Sequence, residues 1–473
     1  MSGTRVLLAV PPEVEHLEIY RVSGIRAPPL GLAWIAAVLE EAGHKVAILD
    51  SPTLSLTRDG FVRYVKRFKP DLVGLTAITP TVYKAYAAAD MIKEVYPDVP
   101  VIVGGPHTTF MYEEALSRPS IDVVVRGEGE YTTLELVNVI EREGMKPEAL
   151  RRVRGIAFRD EGGVRVNEPR PPIHNLDALP KPARHLLPMD KYTFLDKPVR
   201  IFHLMASRGC PYGCIYCSSS YFWGRRVRLR SVESVIDEIK DAIYKYKTNT
   251  IVFADDELTI SRRWILEFAR RVKEEKLDIY YTAGSRVDRG SLEILKALKD
   301  SGCGIVYYGV ESANQESLNR IGKGITISMI KRAFENARKV GIEVAGSFIL
   351  GFPWETISDM MDTIKFAIKL NPTVAQFTVL TPYPGTPIYY QAIKENLIED
   401  FNWEHYTTLK AVMRGYHFTR SMLQKMLSLA YRKFYVRLAY FVDLLRKHRL
   451  SMMISIIKKE VLPWLLSPLR RIV

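Results

Sequence analysis

Short runs of β-branched and aliphatic residues recur through the first third of the chain, at 5–10 (RVLLAV), 45–50 (KVAILD), 72–77 (LVGLTA), 99–104 (VPVIVG) and 121–125 (IDVVV). Between them, stretches such as 30–42 and 83–96 carry apolar residues at helical spacing. Strands alternating with helices predict parallel βαβ units, so residues 1–144 read as an α/β, doubly wound, Rossmann-like sheet. Ligands of such sheets sit beyond the carboxyl ends of the strands. The residues expected there are Thr76 and Thr79, then Gly104, Gly105 and His107, then Gly127 and Glu128.

The pattern lapses over 145–200. Pro169, Pro171, Pro172, Pro180, Pro182 and Pro188 exclude a long helix or central strand, and a hairpin is expected over 156–166 around Gly162 and Gly163. This stretch reads as a linker. Alternation then resumes, with strands expected at 201–206, 250–254, 279–283, 305–310, 343–350 and 375–381 and helices at 231–247, 262–275, 291–300, 326–340 and 356–369. Six such units over 201–388 predict a partial (β/α)6 barrel. Polar residues collect where its strands end, as barrel chemistry requires: Asp255, Asp256 and Glu257, then Arg286, then Glu311 and Ser312, then Gly351. The three acids are the candidates for catalysis; a solvated loop is their plain alternative, and for Glu311 it is a salt bridge to Arg286.

After residue 388 the strand pattern stops, and 389–473 reads as an α-helical tail. The net charge of +14 is concentrated there: from Arg420 onward twelve Lys/Arg face two acids, which leaves about +4 for everything before. Leu423, Leu427, Ala430, Phe434, Leu438, Phe441 and Leu445 form an apolar stripe beside Arg432, Lys433, Arg437, Arg446 and Lys447. Three readings stand: a cap on the barrel, a surface on anionic lipid headgroups with Trp464 at the interface, or a nucleic-acid footprint. The apolar runs are short of the ~20 residues that span a bilayer.

The chain has four cysteines, and three of them, Cys210, Cys214 and Cys217, stand in a C-x3-C-x2-C pattern just after a predicted strand. Soft thiolates so spaced suit an iron-sulfur cube with one iron left open. A zinc knuckle would want a fourth neighbouring ligand, and the fourth cysteine, Cys303, reads as a buried structural thiol. No disulfide framework remains, which suits a reducing, cytoplasmic setting; the first ten residues read as a strand, not a signal segment.

The cysteine pattern, with Tyr216 before its last member, resembles the signature of the radical SAM enzymes. Together with PPLGL at 28–32, VGGPH at 103–107 and RGEGE at 126–130, it resembles the subgroup with a cobalamin-binding domain, over roughly residues 1–390. The resemblance implies a [4Fe-4S] cluster on Cys210, Cys214 and Cys217, and S-adenosylmethionine against Tyr216, Arg286, Glu311, Ser312 and Gly351, which would admit the adenine edge. It places cobalamin against Thr76, Thr79, Gly104, Gly105, His107, Gly127 and Glu128. It also implies a 5′-deoxyadenosyl radical that takes hydrogen from an unactivated carbon, ending in methyl transfer or ring formation. The chain lacks Asp-x-His-x-x-Gly, whose His ligates cobalt elsewhere, so His107 is expected in the loop without ligating cobalt. A small-molecule or lipid substrate, a reducing electron donor and an anionic membrane surface are the expected partners. RNA methylthiolation would need further cysteines within 1–209, where there are none. A corrinoid carrier, or an enzyme with a vestigial first domain, is the alternative.

Overall fold

The structure, a computed structural model, describes residues 3–14, 26–194, 197–198, 200–438, 440 and 442. The first sheet has seven strands: β1 (Arg5–Val10), β2 (Lys45–Asp50), β3 (Leu72–Thr76), β4 (Val101–Gly104), β5 (Val123–Val125), β6 (Ile156–Asp160) and β7 (Gly163–Val166). Their order is β2-β1-β3-β4-β5-β6-β7, the first five parallel and the last two antiparallel. Val6 and Leu8 pack under the helices Leu30–Glu41 and Glu130–Glu143, while Leu7 and Ala9 face the helix Val82–Val95. Both faces are covered, which is why these strands read as continuous apolar runs.

The hairpin read from the sequence as part of a linker is instead paired with β5 and completes the first sheet. Without it β5 would be a bare edge with unpaired backbone groups. The proline-rich stretch that follows stitches the two halves: the Ala183 N–H donates to the Ala33 carbonyl, Arg184 to the His203 carbonyl, and Arg228 to the Ile173 carbonyl.

The second sheet is the partial barrel: β8 (Ile201–Leu204), β9 (Thr250–Phe253), β10 (Tyr280–Ser285), β11 (Cys303–Glu311), β12 (Glu343–Leu350) and β13 (Val374–Val379), adjacent in chain order and all parallel. The five crossover helices start at Ser231, Ser261, Ser291, Thr326 and Thr356, and each of these hydroxyls accepts the backbone N–H three residues on. Such caps satisfy one of the orphan amides of a helix start, and each contributes about 1 kcal/mol.

The tail begins with the helix Arg420–Tyr435, whose apolar stripe, Leu423, Leu427, Ala430 and Phe434, is fully buried. It lies on β13, the edge strand. The Tyr431 and Tyr435 hydroxyls donate to the carbonyls of Phe377 and Ala375, outward groups of that strand that no further described strand takes, and Tyr440 donates to the carbonyl of Thr373 just before it. This part of the tail is therefore a cap, not a lipid-facing surface. Leu438 is 82% exposed. Phe441, Leu445 and the segment with Trp464 lie outside the described residues. Among the described residues no helix is long and apolar enough to cross a membrane.

Candidate active site

The cysteine loop leaves the end of β8 and is closed by a small ribbon, Ser207–Arg208 against Arg228–Leu229. Gly209 turns it with φ of 94°, and a Cβ there would come within 2.6 Å of the Arg226 carbonyl oxygen, so only glycine fits. The loop is then pinned from two sides. The Ile215 N–H donates to the Ile321 carbonyl at 3.0 Å, the Ile215 carbonyl accepts from Ile388 N–H, and the Cys214 thiol sits 3.9 Å from the Gly322 carbonyl.

No group of three or more Cys, His, Asp or Glu side chains among the described residues is placed to hold one metal ion. Three thiols on one loop with no histidine or fourth cysteine beside them among the described residues are the donor set of a cube, in which each thiolate takes its own iron. Burial pushes the Cys210 thiol up to about 11 and raises Cys214 as well. Empty, these sulfurs would keep their protons; a soft cation supplies what their thiolates lack. The three residues fit an iron-sulfur cluster. Cys303 opens β11 at the opposite end of that strand from Glu311; it is buried, and its thiol is pushed up to about 12.

The acids after β9 line the barrel mouth but are engaged. Asp255 accepts from the Ala206 N–H at 3.0 Å and from the Ser207 hydroxyl, so it fixes where the cysteine loop departs. Asp256 accepts from Ser219 at 2.6 Å, and Glu257 from Thr259, whose hydroxyl also meets Ser285 at 2.7 Å. The surrounding protein raises all three carboxyls by desolvation, Asp255 to about 6 and Glu257 to about 7.

The alternative of a Glu311 salt bridge to Arg286 is not what forms. Glu311 Oε1 pairs with Lys323 Nζ at 2.7 Å and accepts from the Tyr216 hydroxyl at 2.9 Å. Glu311 sits at a register shift in β11 with φ of 68°, a strained conformation for a residue with a side chain and one that marks functional positions. Arg286 lies over the Tyr212 ring at 3.5 Å, donates to the Lys323 carbonyl at 2.7 Å and pairs with Asp288. Ser312 donates to Glu355, which also accepts the Gly351 and Phe352 amides. Gly351 turns with φ of 90°, and a Cβ there would meet Leu423 at 2.6 Å, so the capping helix packs on the side that a side chain would take.

The strand ends of the first sheet face this loop across a cavity of ≈ 210 Å³. Thr76, Gly104, Gly105, Gly127 and Glu128 line it from one side, and Met205, Arg208, Phe222 and Trp223 from the other. Thr79 and His107 do not. The His107 Nδ1 meets the Thr79 hydroxyl at 3.2 Å, its ring stands edge-on to Trp403, its Nε2 is buried without a partner, and burial lowers its pKa to about 4. Glu128 reaches the cavity wall, yet its carboxylate is spent on Arg228 at 2.6 Å, Arg208 at 3.5 Å and the Ile173 amide. Arg208, 3% exposed, also pairs with Glu130 and lies between the Trp34 and Trp223 rings, 5.1 Å from each. Arg208, Arg228, Glu130 and Lys323 escape sequence reading because their partners are distant in the chain; the arginine-rich 225–230 was their one visible signal.

The B12 binding domain family model matches residues 19–137, and that of the Radical SAM superfamily matches 204–367. An uncharacterized methyltransferase of Pyrococcus horikoshii is 43% identical over 438 residues, 92% of this chain and 94% of that protein. The chain belongs to the radical SAM enzymes that carry a B12-binding domain. The anaerobic magnesium-protoporphyrin IX monomethyl ester cyclase of Rubrivivax gelatinosus is 32% identical over 418 residues, 87% of this chain and 74% of that one. The radical S-adenosylmethionine methyltransferase TsrM from Kitasatospora setae, solved with cobalamin and a [4Fe-4S] cluster, shares the fold at TM-score 0.69 and 20% identity, over 83% of this chain and 78% of that one. This radical SAM enzyme thus performs methylation or cyclase chemistry with a [4Fe-4S] cluster, S-adenosylmethionine and cobalamin.

Proposed function

We propose that the chain transfers a methyl group to an unactivated carbon of a large apolar substrate, a lipid or isoprenoid, with Cys210, Cys214 and Cys217 as the cluster ligands. The observation that carries this reading is the cavity in which both sets of strand ends meet, walled by Trp34, Ile35, Leu75, Met205, Phe222 and Trp223. When bound, the cluster and S-adenosylmethionine supply a 5′-deoxyadenosyl radical and cobalamin a methyl group.

The chain's own residues orient and exclude. Tyr216, Glu311 and Ser312 offer hydroxyl and carboxylate partners for ribose and methionyl groups, and the open backbone at Thr76, Gly104, Gly105 and Gly127 lets a corrinoid approach. The indoles and aliphatic side chains exclude water from the space between, which keeps a carbon radical from side reactions. A low-potential electron donor and an anionic membrane surface complete the proposed partners. Support for methyl transfer comes from the name of one relative, a methyltransferase, and support for an apolar substrate from the apolar walls of the cavity.

The test is anaerobic turnover of the reconstituted enzyme with S-adenosylmethionine deuterated at its methyl group and an isoprenoid lipid fraction. Label in a lipid carbon supports the reading. A lipid product that loses hydrogen and gains no label would make the reaction ring closure, and turnover of a tetrapyrrole with none of any lipid would overturn the substrate class.

A further inference from the structure

The described residues around the cysteine loop include a buried ammonium that the reaction outlined above does not use. Lys323 is 7% exposed and follows Gly322, whose carbonyl the Cys214 thiol approaches at 3.9 Å. Its Nζ lies 2.7 Å from Glu311 Oε1 and 3.3 Å from the Tyr216 hydroxyl, and Tyr216 directly precedes Cys217. The Ile215 amide is bonded to the Ile321 carbonyl, which ties this segment to the cysteine loop. Lys323 is thus held against the loop, between the Tyr216 hydroxyl and the turn that the Cys214 thiol approaches.

We propose that Lys323 is a positioning residue that sets the reduction potential of the cluster by holding a fixed positive charge against the cysteine loop, with Glu311 as the counter-charge that limits it. The inference rests on the reading that Cys210, Cys214 and Cys217 carry the cluster.

A cube with three thiolates is anionic, and reduction adds one more negative charge in a site where little water screens it. An ammonium held beside the thiolates stabilises the reduced form more than the oxidised form, so it makes the electron easier to accept. Arg286, over the Tyr212 ring and bonded to the Lys323 carbonyl, is the neighbouring cation, but Asp288 is bound to it at 3.0 Å and offsets its charge. Glu311 offsets Lys323 in the same way, and for that reason the two variants are expected to act in opposite directions. Removing Lys323 alone would leave the buried Glu311 carboxylate without its counter-charge, so the ammonium is best removed where no carboxylate remains.

The experiment is an anaerobic redox titration of the reconstituted cluster without S-adenosylmethionine, followed by electron paramagnetic resonance, in wild type, K323R, E311Q and the K323M/E311Q double variant. Iron and sulfide content is measured first, which tests the cysteine assignment separately. The K323M/E311Q protein is expected to hold a reduced-to-oxidised ratio at least tenfold below that of E311Q at the same poise, a shift of about 59 mV to more negative potential for one electron. E311Q is expected to titrate above wild type and K323R close to it. If the double variant assembles poorly, the sign of the E311Q shift decides by itself. Fully loaded variants whose potentials all agree within a factor of two in that ratio overturn the proposal. So does a change confined to S-adenosylmethionine affinity, which would make Lys323 a substrate contact.

Discussion

Arg208 and Glu130 form an ion pair at 2.5 Å between the cysteine loop and the B12-binding sheet, both nearly sealed from water. The strand-end motif RGEGE thus ends in a carboxylate that holds the neighbouring domain, two residues before the first cluster cysteine. A buried pair of this kind fixes geometry more surely than it stabilises, but breaking it leaves a charge without a partner.

Replacing Arg208 with Gln is therefore expected to cost about 3–5 kcal/mol of stability, the usual effect of stranding one member of a buried pair. Lys should not restore it, since the flat guanidinium lies between Trp34 and Trp223 and bonds to two glutamates. Thermal unfolding of R208Q and R208K checks this; a melting temperature equal to wild type in R208Q would sink the structural account.

Replacing Cys210, Cys214 and Cys217 together with Ala should remove about four irons per chain, the content of one cube. The Cys303→Ala protein should keep them, because that thiol lies at the far end of β11, bonded to the Ile305 carbonyl. Iron and sulfide analysis after anaerobic reconstitution distinguishes the two.

His107 predicts a pH effect. Its folded pKa is lowered by burial to about 4 from 6.5, so below 6.5 the unfolded chain binds a proton that the folded chain refuses. Stability is lost as pH falls from 6.5 toward 4, and His203, lowered to about 4 for the same reason and by nearby Arg184, adds to the loss. Between pH 7 and 5 the H107Q protein should lose about 2 kcal/mol less than wild type, at 1.36 kcal/mol per pKa unit. Urea unfolding at the two pH values measures this. Electron paramagnetic resonance of the Co(II) form should show no nitrogen coupling that disappears in H107Q, since Nδ1 faces Thr79 and the ring lies outside the cavity.

The tail should divide at the end of its cap. A chain ended after Thr419 loses the helix that covers β13 and is expected to aggregate, whereas one ended after Val442 should fold and keep its cluster. The removed segment carries seven Lys/Arg and two acids. At roughly 1 kcal/mol per cation near an anionic leaflet, it should account for any salt-sensitive binding to anionic liposomes. Flotation of both full-length and shortened protein, or of neither, would remove the membrane proposal.

What the sequence by itself determined is what depends on near neighbours. Strand runs, capping hydroxyls at Ser231, Ser261, Ser291, Thr326 and Thr356, and the C-x3-C-x2-C loop are all local signals, so the parallel strands of both sheets and the place of the cysteine loop after β8 are legible in the order of residues alone. The tertiary structure alone decided the pairings between distant residues. Sequence spacing offers Arg286 to Glu311, and only the path of the chain after β11 brings Lys323 in instead. It likewise shows Glu128 and Glu130 as loop acids, and only the docking of two domains turns them into partners of Arg208 and Arg228. An apolar stripe such as Leu423 to Phe434 looks the same whether it faces lipid or protein, because amphipathic spacing reports that a face is covered and not by what. That answer lay in β13, an edge strand with two outward carbonyls that Tyr431 and Tyr435 of the tail were placed to take.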